Sequence, residues 1–485
     1  MSRPILTAQE QQAIHRATLD VLRDPGMRIL SPGMRRALSR AGARVDENRE
    51  VVSFPSELVT GMLEGMRSQI EGGARQLVFN GVVASRTPPG VKAKFGGACI
   101  RFLDSLRGEV RDPTEDDLVM LLQLGEALPN VAQVGNPVAC LRTSTGEPVP
   151  PHMQRVRTAA LVAKHSTKCG PTEVANVAEL EFLVALGELV RGGAEAYLRD
   201  PCFVTAKETI SPLTLDRQAA EVLVALAKRG LPCTIIPMPL SGVSSPVTAT
   251  GNVVVANAEI LGAMVGVRAV APDAIVAGGV ISGVMDMRTA LVSFAAPEAI
   301  RQDLMLADLH RELYGFDLGL GTGYTDASAP GGRAAIEKLA KYAAAAAFGC
   351  HNYPVGLLDG GRTFCPEQAL IDLDIAEMVD REFSCSGAED AGQMVAVIRE
   401  AGIGGSYLGL NHTVQHYREA SWQPAVLVSD ASAQAETDMS RMVAAARDRF
   451  EALLGAARSG AEPRANWEGI DAIVAEAERA LRPDA

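Results

Sequence analysis

The stretch Gly321-Thr322-Gly323-Tyr324-Thr325-Asp326 carries the strongest signal for the fold. It follows the apolar run Phe316-Asp317-Leu318-Gly319-Leu320 and precedes a long alanine-rich segment at residues 334–348. A short hydrophobic run that ends in glycines and polar residues, and then gives way to a helix, predicts a β-strand followed by a functional loop. The break at Cys350-His351-Asn352-Tyr353-Pro354 repeats the pattern.

Similar strand–loop–helix units recur along most of the chain. Repeated units of this kind close into a barrel whose chemistry lies on the loops after the strands. We therefore predict an α/β fold, a TIM (β/α)8 barrel with an N-terminal α+β cap and a helical C-terminal tail. The candidate strands are Val131–Asn136, Thr167–Gly170, Cys202–Lys207, Cys233–Pro237, Ala274–Ala277, Leu318–Gly321, Cys350–Tyr353 and Tyr407–Leu410.

The domain boundaries follow from shifts in the pattern. Residues 1–110 mix helical segments with short β-rich ones at 76–80 and 93–103, which predicts a cap packed on the barrel. A helix start with acidic residues at Asp112–Asp117 opens the barrel domain, residues 111–435. Residues 436–485, rich in alanine and glutamate, are predicted to be C-terminal helices.

Composition narrows the class of protein. The 485 residues are 47% hydrophobic and carry a formal charge of −12, which argues against unaided binding to nucleic acid or to an anionic membrane. We see no leader peptide and no apolar stretch of the ~20 residues that span a bilayer, so a cytoplasmic protein is expected. The eight cysteines form no CxxC pair, and neither GxGxxG nor a Walker motif is present. No metal site and no nucleotide cofactor are predicted.

Six short motifs occur in a fixed order along the chain. They are Ser211-Pro212-Leu213, Ser245-Pro246-Val247-Thr248, Asn257-Ala258-Glu259, Met285-Asp286-Met287-Arg288, Thr325-Asp326-Ala327 and Leu410-Asn411-His412-Thr413. In this order the set resembles the trimethylamine:corrinoid methyltransferase family. The resemblance spans roughly residues 20 to 455 and rests on the ordered set, since no single motif is specific.

The resemblance implies a TIM barrel that removes a methyl group from a methylated amine and passes it to Co(I) of a separate corrinoid protein. The founding members of the family carry pyrrolysine, whereas this chain has only ordinary residues. It is therefore similar to the non-pyrrolysine branch, whose characterised members demethylate quaternary amines such as glycine betaine. The expected partners are a corrinoid (cobalamin) protein and a small methylated amine. No cofactor is expected to be bound permanently, and a homo-oligomer is expected.

Three residues at strand ends are the candidate catalytic groups. Glu208 follows the strand Cys202–Lys207, Asp326 lies in the Gly321–Asp326 loop, and His351 begins a later strand. A quaternary ammonium leaves as a neutral amine and needs no general acid, so the protein must mainly hold the cation and aim one methyl group. Structural alternatives stay open: a Lys207 partner or helix cap for Glu208, a turn aspartate for Asp326 and a core histidine for His351.

Further polar and aromatic residues are the candidate substrate-binding groups, because aromatic faces suit a cation and polar donors suit a carboxylate. His351 and Tyr353, two apart on one strand, are predicted to share a face. The substrate-binding candidates are Asn136, Tyr324, Tyr353, Asp359, His412 and Thr413.

Two other functions stay open at this point. A barrel lyase or hydrolase would use Glu208, Asp326 and His351 as acid–base groups. A non-catalytic binding protein for a methylated amine would bind its ligand without turnover. Aromatic residues make up only 4% of the chain, which leaves few side chains for a cation cage and keeps the second function open.

Overall fold

The computed structural model describes residues 4–72, 92–105, 107–204, 206–383, 390–427, 438–460 and 466–482. The first of these ranges forms short strands and three helices. They are α1 (Ala8–Arg23), β1 (Met27–Ile29), α2 (Pro32–Arg40), β2 (Arg44–Asp46), β3 (Val51–Ser53) and α3 (Ser56–Glu71). The predicted strand at residues 76–80 lies outside the described residues.

Strands then alternate with helices for most of the chain, and four helices complete it. The elements are β4 (Lys92–Phe95), β5 (Arg101–Asp104), β6 (Glu109–Arg111), α4 (Glu115–Ala127), β7 (Val131–Val134), α5 (Gln154–His165), α6 (Val177–Arg191), α7 (Ala194–Arg199), β8 (Lys207–Glu208), β9 (Thr214–Leu215), α8 (Arg217–Lys228), β10 (Cys233–Ile236), β11 (Leu240–Ser241), α9 (Ala249–Val270), β12 (Val276–Val280), β13 (Gly283–Asp286), β14 (Leu291–Ser293), α10 (Pro297–Leu309), β15 (Gly319–Leu320), α11 (Gly332–Ala347), β16 (Asn352–Pro354), β17 (Leu357–Leu358), β18 (Thr363–Phe364), α12 (Pro366–Phe383), α13 (Ala391–Ala401), α14 (Asn411–Ala420), α15 (Asp438–Gly460) and α16 (Trp467–Ala480).

Seven strands form two parallel sheets. One sheet has the order β15-β12-β10-β8, and the other has the order β16-β4-β7. A parallel bridge from Val134 to Cys169 adds one more segment beside β7. The predicted α/β class is confirmed.

Hydrogen bonds link the two sheets at both of their outer edges. The Phe203 N–H donates to the Gly170 carbonyl at 3.2 Å, next to β8, and the Thr322 hydroxyl donates to the Asn352 carbonyl at 2.8 Å, between β15 and β16. Among the described residues these contacts are not continuous ladders. Because the seven strands of these two sheets run parallel to their neighbours, their carboxyl ends meet at one edge, where α/β proteins bind their ligands.

Three smaller sheets accompany the parallel strands. Their strand orders are β2-β3-β1-β9, β11-β13-β14 and β17-β18-β5-β6. β1 is antiparallel to β3 and parallel to β9, so the N-terminal strands are tied to the segment that follows β8.

The helix predicted to begin near Asp112–Asp117 is α4. The Thr114 side chain accepts the Asp117 N–H, while the Asp117 side chain accepts the Thr114 N–H, which is a reciprocal capping box. Three acidic residues occupy the first turn, where the helix dipole favours negative charge.

Helix α9 is buried along its whole central part, residues 256–267. Ile260, Leu261 and Met264 are fully buried, and burial of each such side chain contributes about 1.5–3 kcal/mol. At 22 residues and a mean hydropathy of 1.7 in its apolar window, α9 is long and apolar enough to cross a bilayer. The prediction that no stretch reaches that length is therefore wrong. However, 78% of the window is buried inside the fold, as in a core helix.

Several strand predictions need correction. The predicted strand Thr167–Gly170 is reduced to the bridge at Cys169, and Cys202–Val204 lies outside any strand because β8 begins only at Lys207. Tyr407–Leu410 forms no strand; Tyr407 and Leu408 are exposed, and no strand among the described residues pairs with them. Lys92–Phe95, which was assigned to the cap, instead pairs in parallel with β7 and β16. Its alternating lysines are typical of a half-exposed cap strand, yet the Lys94 side chain is buried. The division at residues 110 and 435 stays a prediction.

Candidate functional site

A cavity of about 400 Å³ lies at the carboxyl edge of the parallel strands. Most of its lining residues lie at the end of a strand or bridge or within four residues after it. They include Gly96 after β4, Asn136 after β7, Thr172 after the Cys169 bridge, Glu208 at the end of β8, Met238 after β10, Ile281 after β12 and Tyr324 after β15. Helix α5 closes one side with Gln154, Arg155 and Thr158.

Glu208 brings a carboxylate to the cavity. Its side chain is 54% exposed and lies 3.8 Å from the ammonium group of Lys207. The surrounding walls desolvate the carboxylate and raise its pKa; Lys207 lowers the pKa, while Glu173 and Asp216 raise it by repulsion. A carboxylate with these neighbours favours a positively charged ligand.

Arg155 and Glu173 form a charged pair on the cavity wall. Arg155 Nε lies 3.4 Å from Glu173 Oε2, and Arg155 Nη1 lies 3.7 Å from Glu179 Oε1. Burial raises the pKa of Glu179, whose side chain is 2% exposed. Arg155 Nε is buried and donates no hydrogen bond to any described residue. The cavity wall therefore carries a guanidinium that two carboxylates hold by charge.

Tyr324 is held between two loops. Its ring packs against Phe294 at 5.6 Å between centroids, and the ammonium group of Lys341 lies 5.9 Å from the ring centre. Gly361 has a φ of +83°, and a Cβ there would lie 2.5 Å from Tyr324 Cε1. Only glycine adopts this conformation while leaving room for the ring. Burial raises the pKa of the Tyr324 hydroxyl, and the negative charge of Glu208 adds to the shift.

Two lysines of α11 hold the backbone segments that surround the Tyr324 ring. Lys338 Nζ donates to the Gly323 carbonyl at 2.5 Å and pairs at 3.0 Å with Asp372; both side chains are fully buried. Lys341 Nζ donates to the Phe294 carbonyl at 2.8 Å. Burial lowers the pKa of Lys341 to about 8, although Asp303 opposes the shift. Helix α11 thus anchors the backbone before Tyr324 and the backbone of Phe294, whose ring packs on Tyr324.

Of the residues predicted from the sequence, Asn136, Glu208 and Tyr324 line the cavity together. Asp326 does not line it. Its carboxylate accepts hydrogen bonds from the Ser293 hydroxyl and, at 2.8 Å, from the Phe294 N–H, and it lies 3.6 Å from Arg333. These contacts tie the loop to the segment after β14.

His351 and Tyr353 share a face, as predicted, since the Tyr353 hydroxyl lies 3.3 Å from His351 Nδ1. That face points away from the cavity. Tyr353 packs on Tyr342 of α11, and His351 Nδ1 lies 3.1 Å from Asp380 of α12, at the amino end of β16. The structure does not bring these two residues to the cavity.

Asp359, His412 and Thr413 also lie apart from the cavity lining. Asp359 pairs with Arg362 at 2.8 Å, in the loop that packs on Tyr324. His412 and Thr413 lie in the first turn of α14 rather than at a strand end.

Arg155 and Glu173 line the cavity but are not among the residues predicted from the sequence. Glu173 follows the predicted strand Thr167–Gly170 by three residues, so the rule that identified Glu208 applies to it as well. Arg155 comes from a helix that flanks the cavity, and nothing in its sequence context distinguishes it from a surface arginine.

Comparison with known proteins gives a consistent family. The sequence model of the trimethylamine methyltransferase family (MTTB) matches residues 2–481. A trimethylamine methyltransferase, MttB, of Methanosarcina barkeri (strain Fusaro / DSM 804) is 29% identical over 418 residues, which cover 85% of this chain and 82% of that protein. A glycine betaine methyltransferase of Desulfitobacterium hafniense (strain Y51) is 24% identical over 434 residues, which cover 88% and 87%.

Among solved structures, the monomethylamine methyltransferase of Methanosarcina barkeri aligns with 91% of this chain and 87% of its own. The TM-score is 0.49, and the sequence identity is 12%.

Proposed function

The chain belongs to the trimethylamine methyltransferase family, and on that premise we propose that it moves a methyl group from a quaternary amine such as glycine betaine to Co(I) of a corrinoid protein. Methyltransferase activity comes with the family; the choice of substrate and acceptor is the proposal. We further propose that the parallel segments from β4 to β16 are the strands of one TIM barrel, with the cavity at its mouth.

The observation that carries the proposal is a carboxylate and an aromatic ring on one small cavity. Glu208 and Tyr324 both line it, and the negative charge of Glu208 raises the pKa of the Tyr324 hydroxyl. The charged lining residues are Glu173, Glu208 and Arg155, so the formal charge is −2 + 1 = −1. A cavity with this charge and an aromatic wall favours a cation.

The volume of the cavity and the presence of a positively charged group on its wall support a small zwitterion as the ligand. A volume of about 400 Å³ lies at the low end of the range for small-molecule sites. The guanidinium of Arg155, which lines the cavity, is the proposed partner of the carboxylate of a betaine. Asn136 and Gln154 add amide groups to the lining. Glycine betaine has one quaternary ammonium and one carboxylate, which match these two ends.

The reaction places few demands on the protein. As the methyl carbon bonds to Co(I), its bond to nitrogen breaks, and the electron pair stays on nitrogen as a neutral tertiary amine. No proton moves, so a general acid is not required. Glu208 and Tyr324 hold the ammonium group with one methyl directed outward. The 54% exposure of the Glu208 side chain supports a mouth open to a large methyl acceptor.

Acid–base chemistry by Glu208, Asp326 and His351 receives less support. Only Glu208 lines the cavity; Asp326 is engaged by Ser293 and Phe294, and His351 lies at the amino end of β16. The three side chains do not converge on one ligand.

A spectroscopic assay tests the proposal. Purified protein is mixed with reduced Co(I) cobalamin and, separately, with glycine betaine, carnitine, choline, proline betaine and trimethylamine. Formation of methyl-Co(III) with a quaternary amine is the expected result. No methylation by any compound, with one of them still raising the melting temperature, would instead favour an untested methyl donor or a binding protein and would overturn the proposed donor class.

A further inference from the structure

Helices α13 and α14, with the connecting residues 402–410, form a helical arm at residues 391–420. None of the described residues in α13 or α14 is buried. The segment after the arm is firmly attached to α12, because the N–H groups of Ala425, Val426 and Leu427 all donate to the Asp374 carboxylate at 2.6–3.1 Å. Arg381 of α12 also donates to the Glu419 carbonyl at 2.5 Å. The arm therefore projects from a fixed base.

The arm exposes large apolar side chains that a solvated surface does not need. Val395 and Ile398 lie three residues apart on α13, and Val414 and Tyr417 lie three apart on α14, so each pair shares a helix face. The connection adds the most exposed members. The exposures are Val395 42%, Ile398 56%, Ile403 110%, Tyr407 45%, Leu408 85%, Val414 61% and Tyr417 43%.

Helices α13 and α14 are short, and neither buries a side chain against the rest of the described chain. α13 has 11 residues and α14 has 10. Isolated helices shorter than about 12–15 residues are marginal in water, and helices in proteins take most of their stability from an apolar face packed on a neighbour. The described part of this chain supplies no such neighbour for the exposed apolar side chains of the arm.

The exposed apolar area of the arm and its local net charge indicate what kind of partner covers it. The seven side chains expose on the order of 700 Å², close to the roughly 800 Å² per partner of a stable protein–protein interface. Residues 391–420 contain two arginines and two glutamates, a formal charge of zero, although the whole chain carries −12. Copies with this charge repel each other, so a surface of self-contact must be locally neutral. A symmetric dimer sets identical patches against each other, which this composition permits.

We propose that the helical arm is the surface through which this chain associates with a second copy of itself, arm against arm. The inference is independent of the substrate and the methyl acceptor. It gives the apolar faces of α13 and α14 a partner, and no residue of the arm lines the cavity.

Light scattering after size exclusion, and sedimentation velocity, test the proposal on the full chain. The wild type is expected at two or more times 51.1 kDa. Leu408→Glu and Ile403→Glu each place a charge on the arm twice in a symmetric interface, and self-association should weaken at least ~100-fold. Ile336→Glu, at a position of 71% exposure on α11, is the matched control and should keep the wild-type mass.

Circular dichroism separates loss of contact from loss of fold, because the substituted side chains are exposed in one copy and their replacement should preserve the helical content. A monomeric wild type would overturn the proposal. Arm variants that keep the wild-type mass would overturn it equally, since another surface would then join the copies.

Discussion

Replacing Lys338 with methionine removes one partner of a fully buried ion pair beneath the Tyr324 loop. Lys338 Nζ and Asp372 Oδ2 are 3.0 Å apart, with both side chains fully buried. Loss of one partner leaves an uncompensated buried charge, which costs about 3–5 kcal/mol. Unfolding entropy is about 2.1 cal/mol/K per residue, or about 1 kcal/mol/K for 485 residues. The melting temperature should therefore fall by about 3–5 °C.

The function should change as well, because Lys338 also donates to the Gly323 carbonyl next to Tyr324. We expect a higher KM for the methyl donor in K338M. The double variant K338M/D372N removes the orphaned charge, while asparagine can still accept the Gly356 N–H that Asp372 accepts at 2.8 Å. Differential scanning calorimetry and initial rates are the assays. The reasoning is refuted if K338M melts within about 1 °C of the wild type, or if D372N restores no stability to it.

Three further predictions concern the cavity. Gly361→Ala places a methyl 2.5 Å from Tyr324 Cε1 at a φ of +83°, so it should cost about 1–3 kcal/mol and raise KM; an unchanged melting curve would contradict this. Glu208→Gln should raise the KM for a quaternary amine; the wild-type KM should rise as pH falls through the raised pKa of Glu208, and the variant should lose that dependence. Arg155→Met should lower kcat/KM about 10- to 100-fold for glycine betaine and much less for choline, which lacks a carboxylate; equal losses would exclude carboxylate recognition.

Strand ends were the part of the site that the sequence could predict. Asn136, Glu208 and Tyr324 each follow an apolar run, and parallel strands bring such residues to one edge. The orientation of a buried strand could not be predicted from the sequence. His351 and Tyr353 share one face of their strand, as predicted. Because both faces of a fully buried strand are apolar, its sequence does not show which face packs on the helices and which points to the interior.

Non-local contacts account for the remaining differences. β4 was assigned to the cap because its neighbours in the sheet, β7 and β16, are distant in sequence. Arg155 enters the cavity from the side of a helix, which strand patterns cannot predict. Tyr407–Leu410 has the apolar character of a strand but no partner, and its exposed side chains instead belong to the arm.

The central claim is methyl transfer from a quaternary amine, and isotope tracing tests it most directly. Glycine betaine with deuterium-labelled methyl groups is incubated with the protein and Co(I) cobalamin, and both products are quantified by mass spectrometry. We predict labelled methylcobalamin and labelled dimethylglycine in equal amounts, at a rate that Glu208→Gln reduces. Dimethylglycine without labelled methylcobalamin, or neither product from any quaternary amine, would contradict the account.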